Sequence, residues 1–243
     1  MAAARAQRAT LDPKSAPTLA RERSLMAQGA RYIAGVDEVG RGALAGPVSV
    51  GLVVIDASHQ QPLVGVRDSK LLSAKERQEL VPLIQRWAVG YAVGHASAAD
   101  IDRHGLTAAL RMAGGRAWQQ VSQAGLLVDA VLLDGSHNWL SPPEDDLFAA
   151  LVPDDGGPEE RPVAAVEVPV TTVVKGDLSC LSIAAASVLA KVERDELLAG
   201  LDQQYPAYGW KVNKGYATAA HRAAIASHGV SEWHRQSWRL TSS

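Results

Sequence analysis

Hydrophobic and polar positions first fall into register at Arg31. Tyr32-Ile33-Ala34-Gly35-Val36-Asp37 is a short apolar run bounded by glycines, the pattern of a buried strand. Gly46-Pro47 breaks the chain, and the β-branched run Val48–Ile55 predicts a second strand. Two strands joined by a Gly-rich turn predict an antiparallel pair. Ser73 and Glu76 have capping-box spacing and open a helix with Leu80, Leu83, Ile84 and Trp87 on one face. Val89–Ala96 reads as a strand. The next helix is expected to start near Ser97 or Thr107 and to bury Leu110, Ala113, Ala117 and Val121, with Gly114-Gly115 weakening its middle. Val128–Leu133 predicts a strand that runs into Asp134-Gly135, and Thr171–Val174 predicts the last one. Asp177 or Ser179 is placed to cap a helix carrying Leu181, Ala185, Val188 and Val192, whose Ala184-Ala185-Ala186 run permits close packing. The last forty residues read as helical and aromatic-rich. Strands first, then strands alternating with helices, indicate an α/β domain with a mixed sheet.

Two stretches escape this pattern. In residues 1–28 the apolar positions Leu11, Leu19, Leu25 and Met26 are too sparse for a core, so a mobile tail is expected, with at most one short helix around Thr18–Gln28. From Glu144 to Glu160 there are seven acids and no base, which makes residues 141–162 an acidic surface insertion, with Leu147–Val152 as a candidate short helix. The expected organisation is therefore a tail (1–28), a catalytic domain (29–204) and a helical C-terminal substrate-binding segment (205–243). A single cysteine, Cys180, excludes an internal disulfide and a Cys-based zinc cluster. No apolar run is long enough for a membrane span and the N-terminus lacks a signal-peptide core, so a cytoplasmic, soluble protein with no membrane partner is expected. Net charge is −2, so any site for a polyanion must be local. Residues 205–243 supply one candidate, with Lys211, Lys214, Arg222, Arg235 and Arg239 against the single acid Glu232.

The candidate chemistry lies at strand ends. The first strand ends in Asp37-Glu38, the middle one in Asp134, and the last is followed by Lys175-Gly176-Asp177. An acid in apolar surroundings is costly unless something neutralises it, and ligands of α/β sheets gather outside strand ends. If the four carboxylates converge they repel one another, and cations or protons must balance them. All-oxygen ligation suits Mg²⁺ or Mn²⁺, and two such ions are a recurring device for phosphodiester hydrolysis. Asp37 and Glu38 face opposite ways on a regular strand, so both serve one site only if the strand ends or bulges there. A competing pattern, Gly40-x-Gly42-x-x-Ala45 with Asp56 downstream, fits a dinucleotide fingerprint and a nicotinamide oxidoreductase. That reading needs a helix after the glycines, where Gly46-Pro47 and a β-branched run stand instead.

Gly35-Val36-Asp37-Glu38-Val39-Gly40-Arg41-Gly42 followed by Leu44-Ala45-Gly46-Pro47-Val48 resembles the opening signature of the ribonuclease HII family, the bacterial type 2 ribonucleases H. Asp68-Ser69-Lys70-Leu71, Leu133-Asp134-Gly135, Val174-Lys175-Gly176-Asp177 leading into Ser182–Ser187, and Lys214-Gly215-Tyr216-Ala217-Thr218 with His221 match in order. The resemblance runs from about Arg31 to the C-terminus. It implies an RNase H-like fold, a central mixed sheet flanked by helices with a helical C-terminal part. The activity it implies is metal-dependent hydrolysis of the RNA strand of RNA–DNA hybrids, with cuts at single ribonucleotides embedded in duplex DNA. By motif, Asp37, Glu38, Asp134 and Asp177 become the metal-binding catalytic acids. Gly40, Arg41 and Gly42 become the segment that senses the ribose 2′-hydroxyl, Tyr216 the residue at the RNA-to-DNA junction, and Lys175 a neighbour of the scissile phosphate. Ala43 and Ala217 stand where the family often has proline. A monomer is expected, and a catalytically silent hybrid-binding protein is the alternative, disfavoured because all four acids are present.

Overall fold

The computed structural model describes residues 16–142 and 166–241. The acidic insertion from 143 onward and its candidate helix lie outside these residues. Five strands, β1 (Tyr32–Val39), β2 (Val48–Asp56), β3 (Gly90–Ala96), β4 (Ala130–Asp134) and β5 (Val170–Val173), form one sheet in the order β3-β2-β1-β4-β5. β1 is central. It pairs antiparallel with β2 and parallel with β4, and β4 pairs parallel with β5, so the sheet is mixed as expected. β2 then pairs antiparallel with the edge strand β3.

Alternation along β1 sends its side chains to two cores. Ile33 packs with Val53, Ile55 and Leu132 against α2 (Ala74–Trp87) and α5 (Leu181–Gln204). Ala34 and Val36 pack with Val50, Leu52, Val131 and Leu133 against α3 (Ala98–Gln123). α2 and α3 both begin in reciprocal capping boxes, Ser73 with Glu76 and Ser97 with Asp100. Gly114, a doubtful position for a helix, is where Leu140 and Trp139 pack on α3; an added Cβ would collide with the Leu140 side chain. α5 lies close against the sheet. A Cβ on Gly35 would strike the backbone of Ser182 and Ile183, and one on Gly51 the carbonyl of Ala186. Glycine on the strands and alanine on the helix together allow this approach.

Neither Asp177 nor Ser179 caps α5. Gly176–Ser179 form a separate turn of helix, α4, and Cys180 is the residue before α5, with no side-chain cap of its own. The cap comes from the segment expected to be a tail. Residues 18–28 are docked: α1 (Ala20–Ala27) buries Leu19 and Glu22, and Thr18 bridges Cys180. Glu22 is fully buried, and its Oε1 accepts from the Ser182 backbone N–H at 3.0 Å and from the Ser182 hydroxyl at 2.8 Å. A carboxylate at the first turn of α5 satisfies donors that the helix leaves open. Sequence periodicity missed this because the useful residue is a buried acid, not an apolar one.

The C-terminal residues form short pieces: a 3₁₀ turn (Pro206–Tyr208), α6 (Trp210–Asn213) and α7 (Ala219–His228), around a third core of Leu44, Leu198, Tyr208, Trp210 and Ile225. This core closes against the connection between β1 and β2. Among the described residues, no helix is long and apolar enough to cross a membrane.

Glu22→Ala is expected to lose about 1–2 kcal/mol of stability, the usual range for a lost cap. Glu22→Gln, which keeps an acceptor for Ser182, should lose less than half of that. Denaturant midpoints measure both, and wild-type midpoints in the alanine variant would show that α1 is not a structural part of the domain.

Candidate active site

The strand register builds the site. Val36 of β1 is opposite Leu133 of β4, so Asp37 and Asp134 come next to each other on neighbouring parallel strands. Asp37 follows Ile33 and Gly35 on the α5 face; Asp134 follows Leu132 there. Asp177 reaches the same place from α4. The Asp134 Oδ1 accepts the Gly176 N–H at 2.7 Å and so fixes the turn that carries Asp177. Lys175, just before it, adopts a left-handed conformation (φ 55°, ψ 45°), which makes the sharp turn from β5 into α4. One carboxylate oxygen from each of Asp37, Asp134 and Asp177 lies within 4.8 Å of the other two.

Glu38 does not join this trio. β1 stays in regular register through Glu38↔Val50 and Val39↔Ser49, with no bulge. Glu38 therefore faces the α3 side, and its Oε1 meets the Arg41 guanidinium at 3.4 Å. The mutually close carboxylate oxygens therefore belong to three of the four expected acids. Glu38 stays near the trio electrostatically, because burial, and behind it the charge on Asp134, raise its pKa against the pull of Arg41. Its Oε2 is buried, with no hydrogen-bond partner among the described residues.

The trio is electrostatically strained. Asp37 is nearly inaccessible, and burial first, then the charges on Asp134 and Glu38, hold its pKa well above the usual carboxylate range; the Ser187 hydroxyl opposes the shift. Asp177 is raised for the same reasons, burial and then Asp134 and Asp68. One cation answers from the protein. Lys70 Nζ lies 3.2 Å from Asp177 Oδ2 and 3.7 Å from Asp68 Oδ1. Burial works against its charge, but Asp68 and Asp177 outweigh it and raise its pKa. The Asp68–Leu71 turn is fastened by Arg77, whose Nη1 donates to Ser69 O and Leu72 O at 2.7 Å each, and by the Ser187 hydroxyl on Ser69 Oγ at 2.8 Å. Lys70 was not among the residues given a role from sequence, although its motif was visible; a surface lysine acquires meaning only when the fold sets it beside the acids.

A clustered all-oxygen donor set, in which the Asp37 and Asp177 pKa values are raised, fits a divalent cation. Asp37, Asp134 and Asp177 are the residues that could hold it, with Glu38 next in reach.

The predicted substrate-reading segments adjoin each other. Leu44 N and Ala45 N donate to Gly215 O at 2.8 and 3.2 Å, which joins the β1–β2 connection to the Tyr216 segment. Two fully buried guanidiniums hold the pair together. Arg194 donates to Pro47 O, Ala45 O and Lys214 O at 2.8–3.1 Å and lies 5.7 Å from the Tyr216 ring centroid. Arg235 donates to Gly40 O (2.6 Å) and Arg41 O (2.8 Å) and packs over Trp238. Burial depresses both, Arg235 to about 9. Peptide bonds here are trans, so the N–H groups of Arg41 and Gly42 point away from Arg235, on an exposed stretch of backbone. Tyr216 is part-exposed at 36%. Lys175 is exposed beside Asp177.

Comparison with known proteins decides the assignment. The family model described as Ribonuclease HII matches residues 34–241. The chain belongs to the ribonuclease HII family. It is 42% identical over 227 residues to the ribonuclease HII of Streptomyces avermitilis, covering 93% of this chain and 85% of that one. The ribonuclease HII of Archaeoglobus fulgidus, solved in complex with PCNA, superposes with a TM-score of 0.63 at 23% identity, over 87% of this chain and 96% of that one. Bst-RNase HIII, solved in complex with Mn²⁺, gives 0.60 at 21% identity, over 88% and 68%. These likenesses establish the RNase H-like fold, and family membership makes the protein an endoribonuclease of the ribonuclease H type.

Because burial and the neighbouring charges on Asp134 and Glu38 disfavour its ionised form, Asp37→Asn should stabilise the metal-free enzyme at neutral pH. The sign follows from linkage. A carboxyl group with a raised folded-state pKa is favourable while protonated, and that stability is lost as pH rises through the raised value. Metal-free wild type should therefore weaken as pH rises from the ordinary carboxylate range through the raised folded-state value, and Asp37→Asn should weaken less. Urea unfolding in EDTA across that range measures it; parallel curves for the two proteins would mean that Asp37 is not strained.

Proposed function

We propose that this ribonuclease hydrolyses the RNA strand of RNA–DNA hybrids and cuts on the 5′ side of ribonucleotides embedded in duplex DNA, leaving 5′-phosphate and 3′-hydroxyl ends. The observation that carries this reading is the convergence of Asp37, Asp134 and Asp177 from two strands and a helical turn, with Lys70 at its edge. Mg²⁺ or Mn²⁺ held by these acids, with Glu38 turning from Arg41 to complete the set, supplies charge neutralisation and a more acidic attacking water. The protein's own groups do the rest. Asp37 and Asp134, fixed on rigid neighbouring strands, would hold the cation in place. Lys70 and Lys175 place positive charge around it, where phosphate oxygens are drawn in from solvent.

Ribose recognition falls to the backbone of Gly40-Arg41-Gly42. Two outward N–H groups, with no Cβ on Gly42 to keep a sugar away, suit close approach to a 2′-hydroxyl, the group that distinguishes RNA from DNA at one nucleotide. Tyr216, joined to that segment through Gly215, offers a ring face to the following deoxyribose. The two together read a ribose on one side of the cut and a deoxyribose on the other.

Incubating duplex DNA that contains one ribonucleotide with Mg²⁺, Mn²⁺ or EDTA tests the proposal. A single cut 5′ of the ribonucleotide is expected with either metal and none in EDTA; cleavage in EDTA, or cuts in all-DNA duplex, would overturn it. Asp134→Asn should lower kcat on the order of a hundredfold or more while hybrid binding survives. Tyr216→Ala should lose roughly ten- to hundredfold in kcat/KM on single-ribonucleotide duplex, the worth of a stacked base, and less on long hybrids. An unchanged ratio between the two substrates would assign Tyr216 to packing.

A further inference from the structure

Three consecutive carbonyls around Tyr216 are held by three different parts of the fold. Lys214 O accepts from Arg194 on α5. Gly215 O accepts from the Leu44 and Ala45 N–H groups of the β1–β2 connection. Tyr216 O accepts from the ring nitrogen Nδ1 of His221, on α7, at 2.9 Å, and from the Thr218 N–H at 2.8 Å. Ala217, between them, places no covalent restriction on φ. The direction of the Tyr216 carbonyl, and with it the backbone from which the ring projects, therefore depends on these bonds.

The histidine partner is itself built into a chain. His221 and His234 are both fully buried, with Nε2 of one 3.2 Å from Nε2 of the other. Trp210 Nε1–H donates to His221 Nε2 at 3.1 Å. The Ser231 backbone N–H donates to His234 Nδ1 at 2.9 Å, and the Ser231 hydroxyl lies at the same distance. Proton positions follow from partners that can act in one sense alone. A carbonyl accepts, so His221 Nδ1 carries a proton; an indole donates, so His221 Nε2 carries none. A backbone amide donates, so His234 Nδ1 is bare and its Nε2–H donates to His221. Both rings are neutral, each in one tautomer, and every ring nitrogen is satisfied. An extra proton on either ring would set N–H against N–H, and burial, the first cause, lowers both pKa values, His234 to about 4. Tyr208 lies edge-on to both rings and Trp210 flanks them, so the pair has no room to turn.

The far end of the chain lies on the other reading segment. His234 forms an antiparallel bridge with Ala45, flanked by Arg235 N donating to Leu44 O and Gly46 N to Trp233 O. We propose that the neutral pair His234–His221 is a positioning relay that fixes Tyr216 relative to the Gly40–Gly42 segment, and so sets the enzyme's preference for a ribonucleotide at a junction over a continuous hybrid. It rests on the proposed junction role of Tyr216 and adds the residues that make that role depend on the 40–47 backbone.

The test compares wild type, His221→Ala, His221→Asn and Tyr216→Ala on duplex DNA with one ribonucleotide and on a long RNA–DNA hybrid. The asparagine side-chain N–H can replace Nδ1–H; alanine has no donor. His221→Ala should lower the ratio of kcat/KM on the two substrates roughly tenfold, as loss of one well-placed hydrogen bond does, and His221→Asn should restore most of it. A residue that merely packs would depress both substrates equally, and that result, or an unchanged ratio alongside a lowered one in Tyr216→Ala, would overturn the relay. An unchanged ratio in Tyr216→Ala would instead overturn the junction role and the relay with it. ¹⁵N spectra of the wild-type enzyme at pH 7 need no variant to fold. They should show His221 protonated on Nδ1 alone and His234 on Nε2 alone; any other protonation state contradicts the relay.

Discussion

Like charges held together inside a protein must be restrained by the rest of it. Asp37, Asp134 and Asp177 bring carboxylate oxygens within 4.8 Å at the edge of the core, where low dielectric magnifies their repulsion. Much of the fold can be understood as what keeps them there. β1 and β4 are neighbouring parallel strands, so two of the acids are fixed by sheet hydrogen bonds. α5 lies against Gly35 and Gly51 closely enough that a methyl group would not fit, and α4, just before it, delivers the third. The Glu22 carboxylate, from a helix at the other end of the chain, secures the first turn of α5. Relaxing any one of these would let the acids separate, at the cost of the electrostatic strain that favours a cation.

The loops that bring Gly40–Gly42 and Tyr216 together are built with the opposite charge and a different solution. Arg194 and Arg235 are buried, and among the described residues neither forms an ion pair; their N–H groups go to backbone carbonyls. A guanidinium has five donors in a fixed plane, so one side chain can hold several turns of irregular backbone at once. The β1–β2 connection has no regular ladder to hold it, and these carbonyl contacts, with the histidine pair, take its place. Separating the two charge systems, acids on the α5 face of the strands and cations under the loops, keeps the guanidiniums from neutralising the acidic trio.

Most of the sheet was legible because a strand buried on both faces gives a continuous apolar run with few alternatives, and α2 was legible because Ser73 announces it by capping. Asp37, Asp134 and Asp177 were legible for a related reason: each interrupts apolar sequence at a strand end or next to a glycine. Glu38 was not resolved, since adjacency in sequence gives opposite faces on a strand and only the register shows that no bulge intervenes. The helix of residues 20–27 was expected, but its docking was not, because its anchor is a buried glutamate whose partner, Ser182, is far away in the chain. His221 and His234 have no metal-ligand spacing, and their tautomers depend on Trp210, Tyr216 and Ser231, which no spacing rule connects. Long-range polar pairs are where the sequence pattern runs out, because periodicity reports faces of elements and not the partners across them.

The central claim is that the trio is a divalent cation site with Glu38 in reserve. A crystal of the enzyme soaked in Mn²⁺ and measured at a wavelength where manganese scatters anomalously tests it directly. The expected map has a peak in contact with Asp37, Asp134 and Asp177, with the Glu38 side chain withdrawn from Arg41 and turned toward it. A fully active enzyme whose manganese peak lies away from all three aspartates would contradict it.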